Sequence, residues 1–430
     1  MNQNQSRLRT LSLIATGGLL LPGAALGGGI ELYEVATIDT ALASAGYASR
    51  AQDPSTAFKN PAGMSLLEGA QVQAGVQLLY GDVSFTPNSD TSSRLGTDGG
   101  GNAIGALPAL SLFYTQELSE KWHVGFATLS YFGLLQNYEP NWVGRYYVQE
   151  GGMVGVSLMP TISYEVNEWL SVGAGLNAMY GYFKTEVAVN NLDPGVGDGQ
   201  LDLKDTTWGF GANVGALFRL SEKTRLGVTY LSAVNLDFED TPEFSNLGPV
   251  LSPLLANPSE LNLGVKVPQS VMVSLFHELN EKWSVMADVG WQNWEQFGQV
   301  QVGVDANSPS STPRTVTTEL NYQDTWHGAL GAQYRVCPNW RLSTGVAYDS
   351  SAVSDEYRTV VLPMGRAVRV GLGAEWDLNA KLTLAAAYEF MWVGDMTVDQ
   401  GSDTSLRGRV SGTYENANFS IFSLSLIWKL

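Results

Sequence analysis

Strict alternation of apolar and polar residues over ten or more positions limits this chain more than any other feature. In 368–378, Val368, Val370, Leu372, Ala374, Trp376 and Leu378 fall on one face, and Arg369, Gly371, Gly373, Glu375 and Asp377 on the other. The same period runs through 208–220 and 382–392. It returns in the last segment, where Phe422, Leu424, Leu426, Trp428 and Leu430 oppose Ser423, Ser425 and Lys429. A period of two marks a strand. Strands of soluble sandwiches usually run to about five or six residues. Longer ones, with glycine and charge on the second face, fit strands that cross a bilayer with lipid outside and a polar lumen within. Composition agrees: only 15% of residues are charged and 47 of 430 are glycine. The mean hydropathy of −0.04 is what two opposite faces average to.

Residues 1–27 read as a cleavable export signal, with Arg7 and Arg9, an apolar stretch from Leu11 to Leu21, and Ala25-Leu26-Gly27. No later apolar run is long enough for a membrane helix. An exported chain of this kind enters a membrane as a closed barrel. The net charge of −18 has the wrong sign for a nucleic-acid partner. A single cysteine, Cys337, excludes an intrachain disulfide and zinc sites with several Cys ligands.

Six short polar turns recur, at 119–121, 167–168, 221–223, 280–282, 337–339 and 379–381. Seven long Gly-, Pro-, Asp- and Ser-rich segments lie between them, near 82–106, 136–150, 190–204, 240–261, 305–323, 351–366 and 398–412. This predicts an all-β fold, an antiparallel transmembrane barrel of fourteen strands over 71–430, with turns on one side and loops on the other. Trp122, Trp169, Trp283 and Trp340 follow four of the turns, where an interfacial girdle lies. Residues 28–70 precede the first strand and are too apolar to hang free in the periplasm. They are expected inside the lumen as a plug, since a barrel this wide leaves an aqueous interior.

The mature start Gly29-Ile30-Glu31-Leu32-Tyr33-Glu34, then Ala45-Gly46-Tyr47-Ala48 and Asn60-Pro61-Ala62-Gly63, resembles the hatch of the FadL/TodX family. Trp142-Val143-Gly144-Arg145-Tyr146 and Leu362-Pro363 with Arg366 extend the resemblance over the mature chain. Leu430 departs from it, since such barrels more often end in Phe. The resemblance implies a monomeric bacterial outer-membrane transporter for long-chain fatty acids or other hydrophobic compounds, set among outer-membrane lipid and lipopolysaccharide. It implies no catalytic residue and no cofactor. Aromatic hydrocarbon uptake within the same family, or a porin or adhesin on the same barrel, are the alternatives. It also implies a route: loops catch the ligand, the hatch shifts, and the ligand leaves sideways at a kinked third strand.

Under that resemblance Asn60, Pro61, Ala62 and Gly63 contact the kink and gate the opening; otherwise Asn-Pro is a plain turn. Gly125 and Gly133 are the kink candidates. The loop 241–264 carries Phe244, Leu247, Val250, Leu251, Leu254, Leu255 and Leu261, apolar enough for a capture groove or for a cap on the loop layer. Arg145, Lys184 and Arg366 are candidate partners for a carboxylate, although for each singly a salt bridge with one of the 42 acids is the stronger reading. No metal is called for: Asp193, Asp198, Asp202 and Asp205 lack EF-hand spacing. Gly209 to Gly215 mimics a nucleotide loop but lies within a strand pattern. His123, His277 and His327 stand without a nucleophile motif.

Overall fold

The structure, a computed structural model, describes residues 31–193, 195–297, 299–304 and 314–430; the side chains of 299–304 and 314–319 are not described. The export signal expected over 1–27 lies outside these residues. Sixteen of the described strands form one large antiparallel sheet that closes on itself. Its barrel strands are β1 (Ala70–Asp82), β2 (Gly105–Ser119), β3 (Trp122–Asn137), β4 (Glu150–Asn167), β5 (Leu170–Val189), β6 (Gly199–Ser221) and β7 (Thr224–Leu231). The second half is β8 (Ser270–Glu278), β9 (Trp283–Gln292), β10 (Thr325–Cys337), β11 (Trp340–Asp349), β12 (Ala367–Asn379), β13 (Leu382–Gly401) and β14 (Arg409–Lys429). Each pairs with its neighbour in sequence, and β1 pairs with β14 from Gln71↔Lys429 to Asp82↔Asn418, which completes the cylinder. Two three-residue strands, Phe85–Pro87 and Glu243–Ser245, extend β14 and β6 at the loop end.

Alternation places the faces as the sequence predicts. On β12 the outward Val368, Val370, Leu372 and Trp376 are exposed, while inward Arg369 is fully buried. All six short turns are present, and aromatic pairs stand beside them: Trp122 on Tyr164, Trp169 on Phe218, Trp283 on Tyr334 and Trp340 on Trp376. At the other end β5 and β6, of 20 and 23 residues, overshoot the roughly ten that a tilted strand needs to span hydrocarbon. Above them Val234–Asp240, Leu261–Val267, Gln299–Val304 and Arg314–Glu319 form a separate four-stranded sheet. The expected loop 241–264 is therefore corrected at its far end: Leu261, Leu263, Val265 and Val267 alternate inward and join the core.

The lumen is filled by residues 31–69. Helix Thr37–Leu42 is buried throughout and ends where Ala43 and Ser44 take positive φ. A Cβ added to Gly345 would meet the Leu42 carbonyl oxygen at 1.8 Å, and one added to Gly227 the Ala48 oxygen at 2.0 Å. Inward glycines thus let the plug backbone lie directly on the wall. Polar lumen groups hold it. Asp288 accepts from the Gly46 and Tyr47 amides at 2.9 and 3.0 Å, and the Ser274 hydroxyl from the Ala48 amide at 2.9 Å. Arg369 ties Glu34 of the plug to Asp349 of β11. Within the plug, Asp39 pairs with Arg50 at 2.9 Å and with Lys59 at 2.6 Å. The charges of the lumen are thus largely taken up in holding the plug.

Candidate functional site: a side opening between two strands

β1 and β2 stay paired from Ala70↔Gln116 to Gly81↔Gly105, and β3 and β4 from Trp122↔Tyr164 to Asn137↔Glu150. Between β2 and β3 the ladder stops at Ser111↔Leu129. Above that rung Gly105–Leu110 and Ser130–Asn137 diverge. The cause is local. Ser130 pairs with Val156 but Phe132 with Gly155, so Tyr131 is an extra residue, and a bulge bends the strand that carries it. Gly133 follows at φ +135°, where a Cβ would sit 2.3 Å from the Met153 carbonyl oxygen. Only glycine fits that position.

An open hollow of about 1260 Å³ borders this opening and spreads over the outer wall along β1, β2 and β11–β14. Its lining includes Leu32 and the buried Tyr131 and Phe132 inside, and the exposed Val76, Leu110 and Leu135 outside, with no charged side chain. Buried and lipid-facing apolar residues thus meet at this seam. Open strand edges are costly in hydrocarbon. The first described residues of the plug cover part of this one. The Leu32 amide donates to the Tyr131 carbonyl at 2.8 Å, and Glu31 forms a bridge with Phe132.

The expected site residues fall in several places. Gly133 lies at the bulge. Gly125 does not mark a kink: it pairs regularly with Thr115 and Thr161, and a Cβ there would meet Met64 of the plug at 2.5 Å. Its glycine is explained by that close approach. Asn60-Pro61-Ala62-Gly63 is built as a capped turn, the Asn60 side chain accepting from the Ala62 amide ahead of helix Pro61–Leu66. Its position corrects the expected contact with the kink. Asn60 Nδ2 donates to the Ala48 and Ala216 carbonyls at 2.7 and 3.1 Å, and Pro61 and Ala62 lie under Gly173 of β5. At the bulge itself stand Glu31, Leu32 and Phe58, whose ring is 5.0 Å from that of Tyr131. Glu31 and Leu32 carried no signal of this role, because the contact is a backbone pairing.

None of the three basic candidates faces the cavity. Arg145 is held by Asp198 at 2.8 Å and lies over the Tyr146 ring. Lys184 pairs with Glu150 at 2.6 Å on the outward face. Arg366 is exposed over the outward Trp392 ring. The alternation of their strands or the chemistry of their loop sends each elsewhere. In the capture loop Leu251 is buried, Phe244, Leu247 and Leu255 are half-buried, and Val250 and Leu254 are exposed. Asn191 ties this loop to the neighbouring one through the Asn246 carbonyl and the Gly248 amide, and exposed Leu192 and Val196 stand there. Asp198 and Asp205 accept from Arg145 and from the Glu239 amide. The three histidines sit on three different strands, His327 bonded to Asp349 at 2.8 Å.

Outer membrane protein P1 of Haemophilus influenzae is 26% identical over 421 residues, covering 88% of this chain and 89% of the relative. The long-chain fatty acid transport protein of Escherichia coli strain K12 is 22% identical over 433 residues, covering 93% and 95%. Among solved structures, a Pseudomonas aeruginosa FadL homologue aligns with a TM-score of 0.83 at 22% identity over 93% of this chain and 99% of that one. The Pseudomonas putida toluene transporter TodX aligns at 0.68 with 16% identity, over 93% and 99%. The model of the family described as outer membrane protein transport protein (OMPP1/FadL/TodX) matches residues 18–427. The chain therefore belongs to that family of outer-membrane transport channels for hydrophobic compounds, which are not enzymes.

Proposed function

We propose that this protein takes up long-chain fatty acids and delivers them sideways into the outer membrane through the β2–β3 opening. The observation that carries this reading is the ladder that stops at Ser111↔Leu129 over an uncharged cavity lined from both inside and outside. A water-filled pore would not concentrate an apolar solute, whereas each Å² of apolar surface transferred to such a lining gains about 25 cal/mol. Relatives named as long-chain fatty acid transport proteins support the substrate class. Loops 190–198 and 246–256 supply the first contact, through Leu192, Val196, Val250 and Leu254. Asn60, Pro61 and Ala62 act on the opening through the plug that they anchor.

A second reading, uptake of aromatic hydrocarbons, is favoured by the absence of a cation among the cavity's lining residues. Uptake of labelled oleate and labelled toluene, in a strain lacking its own transporter, separates the two. The route has its own test. Leu110 and Ser130 would form the next rung if the β2–β3 ladder closed, and paired Cβ atoms then stand about 4.5–5.5 Å apart. Leu110→Cys with Ser130→Cys, in a Cys337→Ser background, locks the seam when oxidised. Uptake should fall on oxidation and return on reduction; equal uptake in both states rejects the sideways route.

A further inference from the structure

The loop 402–408 joins β13 to β14 at the loop end of the barrel. Tyr147 of a neighbouring loop docks it, its hydroxyl donating to the Gly408 carbonyl at 2.7 Å. Four arginines stand in the loops that meet here: Arg94, Arg145, Arg407 and Arg409. Two are neutralised, Arg145 by Asp198 at 2.8 Å and Arg409 by both oxygens of Asp399 at 2.7 Å. The other two are held by neutral groups. Arg407 is half-buried, its guanidinium 5.4 Å from the centre of the Tyr147 ring and its amide on the Ser405 hydroxyl at 3.2 Å. Arg94 is exposed and donates to the Ser405 carbonyl. Asp403, the acid within that loop, accepts from the Ser92 hydroxyl. Burial lowers the Arg407 guanidinium from its ordinary value, and Tyr147 alone pulls the other way. The chain has 42 acids against 24 bases, yet among the described residues none of those acids is set against these two cations.

Apolar surface begins beside them. Leu406 is exposed, and its carbonyl accepts from Asn190 Nδ2 at 3.5 Å. Asn190 Oδ1 in turn accepts from the amide of exposed Leu192 at 3.0 Å, and exposed Val196 follows in the same loop. We propose that Arg94 and Arg407 form the head-group site where the carboxylate of a free fatty acid first binds, its chain laid over Leu406 and Leu192 towards Val196. The proposal rests on the fatty-acid reading above and deepens it. The hollow at the β2–β3 seam has no charged side chain, so acid and hydrocarbon are told apart at the mouth and not at the exit. A guanidinium matches a carboxylate with two parallel N–H···O bonds. Because both arginines reach water, the pairing is modest and screened by salt. A head group held in this way is released as the chain moves inward.

The test is the initial rate at which labelled oleate and labelled methyl oleate associate with the purified full-length protein at limiting concentration. Arg94→Gln with Arg407→Gln should slow oleate by about tenfold and methyl oleate by less than about twofold. Saturating oleate should overcome the loss. Arg94→Lys with Arg407→Lys keeps both charges and should recover most of the rate. Added salt should slow oleate on the unaltered protein and not on the double Gln variant. An oleate rate that the double Gln variant leaves intact, or a methyl ester slowed as much as the acid, overturns the head-group site alone. So does a variant that loses only co-purifying lipopolysaccharide, since the cations then serve lipid phosphate. An unaltered protein that binds no oleate overturns the fatty-acid reading as well.

Discussion

Single residues decide whether the opening exists. Gly133→Ala places a Cβ against the Met153 carbonyl and forces a positive φ on alanine. About 1–3 kcal/mol of strain follows, and the strand should straighten at the cost of uptake. An oleate uptake assay, with surface expression as control, checks this. Arg145→Ala, Lys184→Ala and Arg366→Ala, by contrast, should leave uptake within about twofold, because each side chain is engaged away from the cavity. Glu31 gives a pH signature. Burial pushes its carboxyl up to about 8, with the neighbouring Ser270 and Gln292 pulling against that. Tyr33 and Tyr47 of the plug feel it, and burial keeps both neutral. A raised acid is stabilising when protonated. Docking of residues 31–32 is therefore strongest below the ordinary value of 4.5 and weakens as pH rises towards about 8. A spin label at Leu32→Cys, in a Cys337→Ser background, should loosen over that window, and Glu31→Gln should flatten the response.

At the scale of elements, the plug is fixed more firmly along its middle than at its start. Asp288, Ser274 and the Asp39–Arg50–Lys59 cluster hold residues 39–59. Glu31 and Leu32 rest on one bridge and one backbone hydrogen bond beside an open edge. Arg369→Met would leave Glu34 and Asp349 buried without their cation, a change that costs about 3–5 kcal/mol. It should loosen the whole plug, which planar-bilayer recordings would show as added conductance. The elements were also the level most readable in the sequence. Period-two runs and polar turns specified β12, β13 and β14 because each residue there has one of only two surroundings. Gly133 was readable as a candidate because glycine tolerates a bend. The seating of Asn60 on Ala216, and of Glu31 on Phe132, was not, since both depend on contacts between distant segments. The start of strand Leu261–Val267, up to Gly264, reads as loop because its short alternation follows a run of Pro, Ser and Asn.

For the whole molecule, the cylinder is a complete ring of neighbours in which the β2–β3 seam stops short of the loop ends of both its strands. That seam sits where hydrocarbon, not water, meets the wall. The free carbonyls and amides above Ser111↔Leu129 are tolerable only while the plug or a thin, wet region of bilayer satisfies them. The host membrane therefore becomes part of the mechanism. Lipids with longer acyl chains raise the hydrocarbon boundary over more of the exposed edge, and mismatch of this kind costs fractions of a kcal/mol per Å or so. Reconstituted into bilayers of increasing thickness, the protein should release ligand more slowly, although no residue in it has changed.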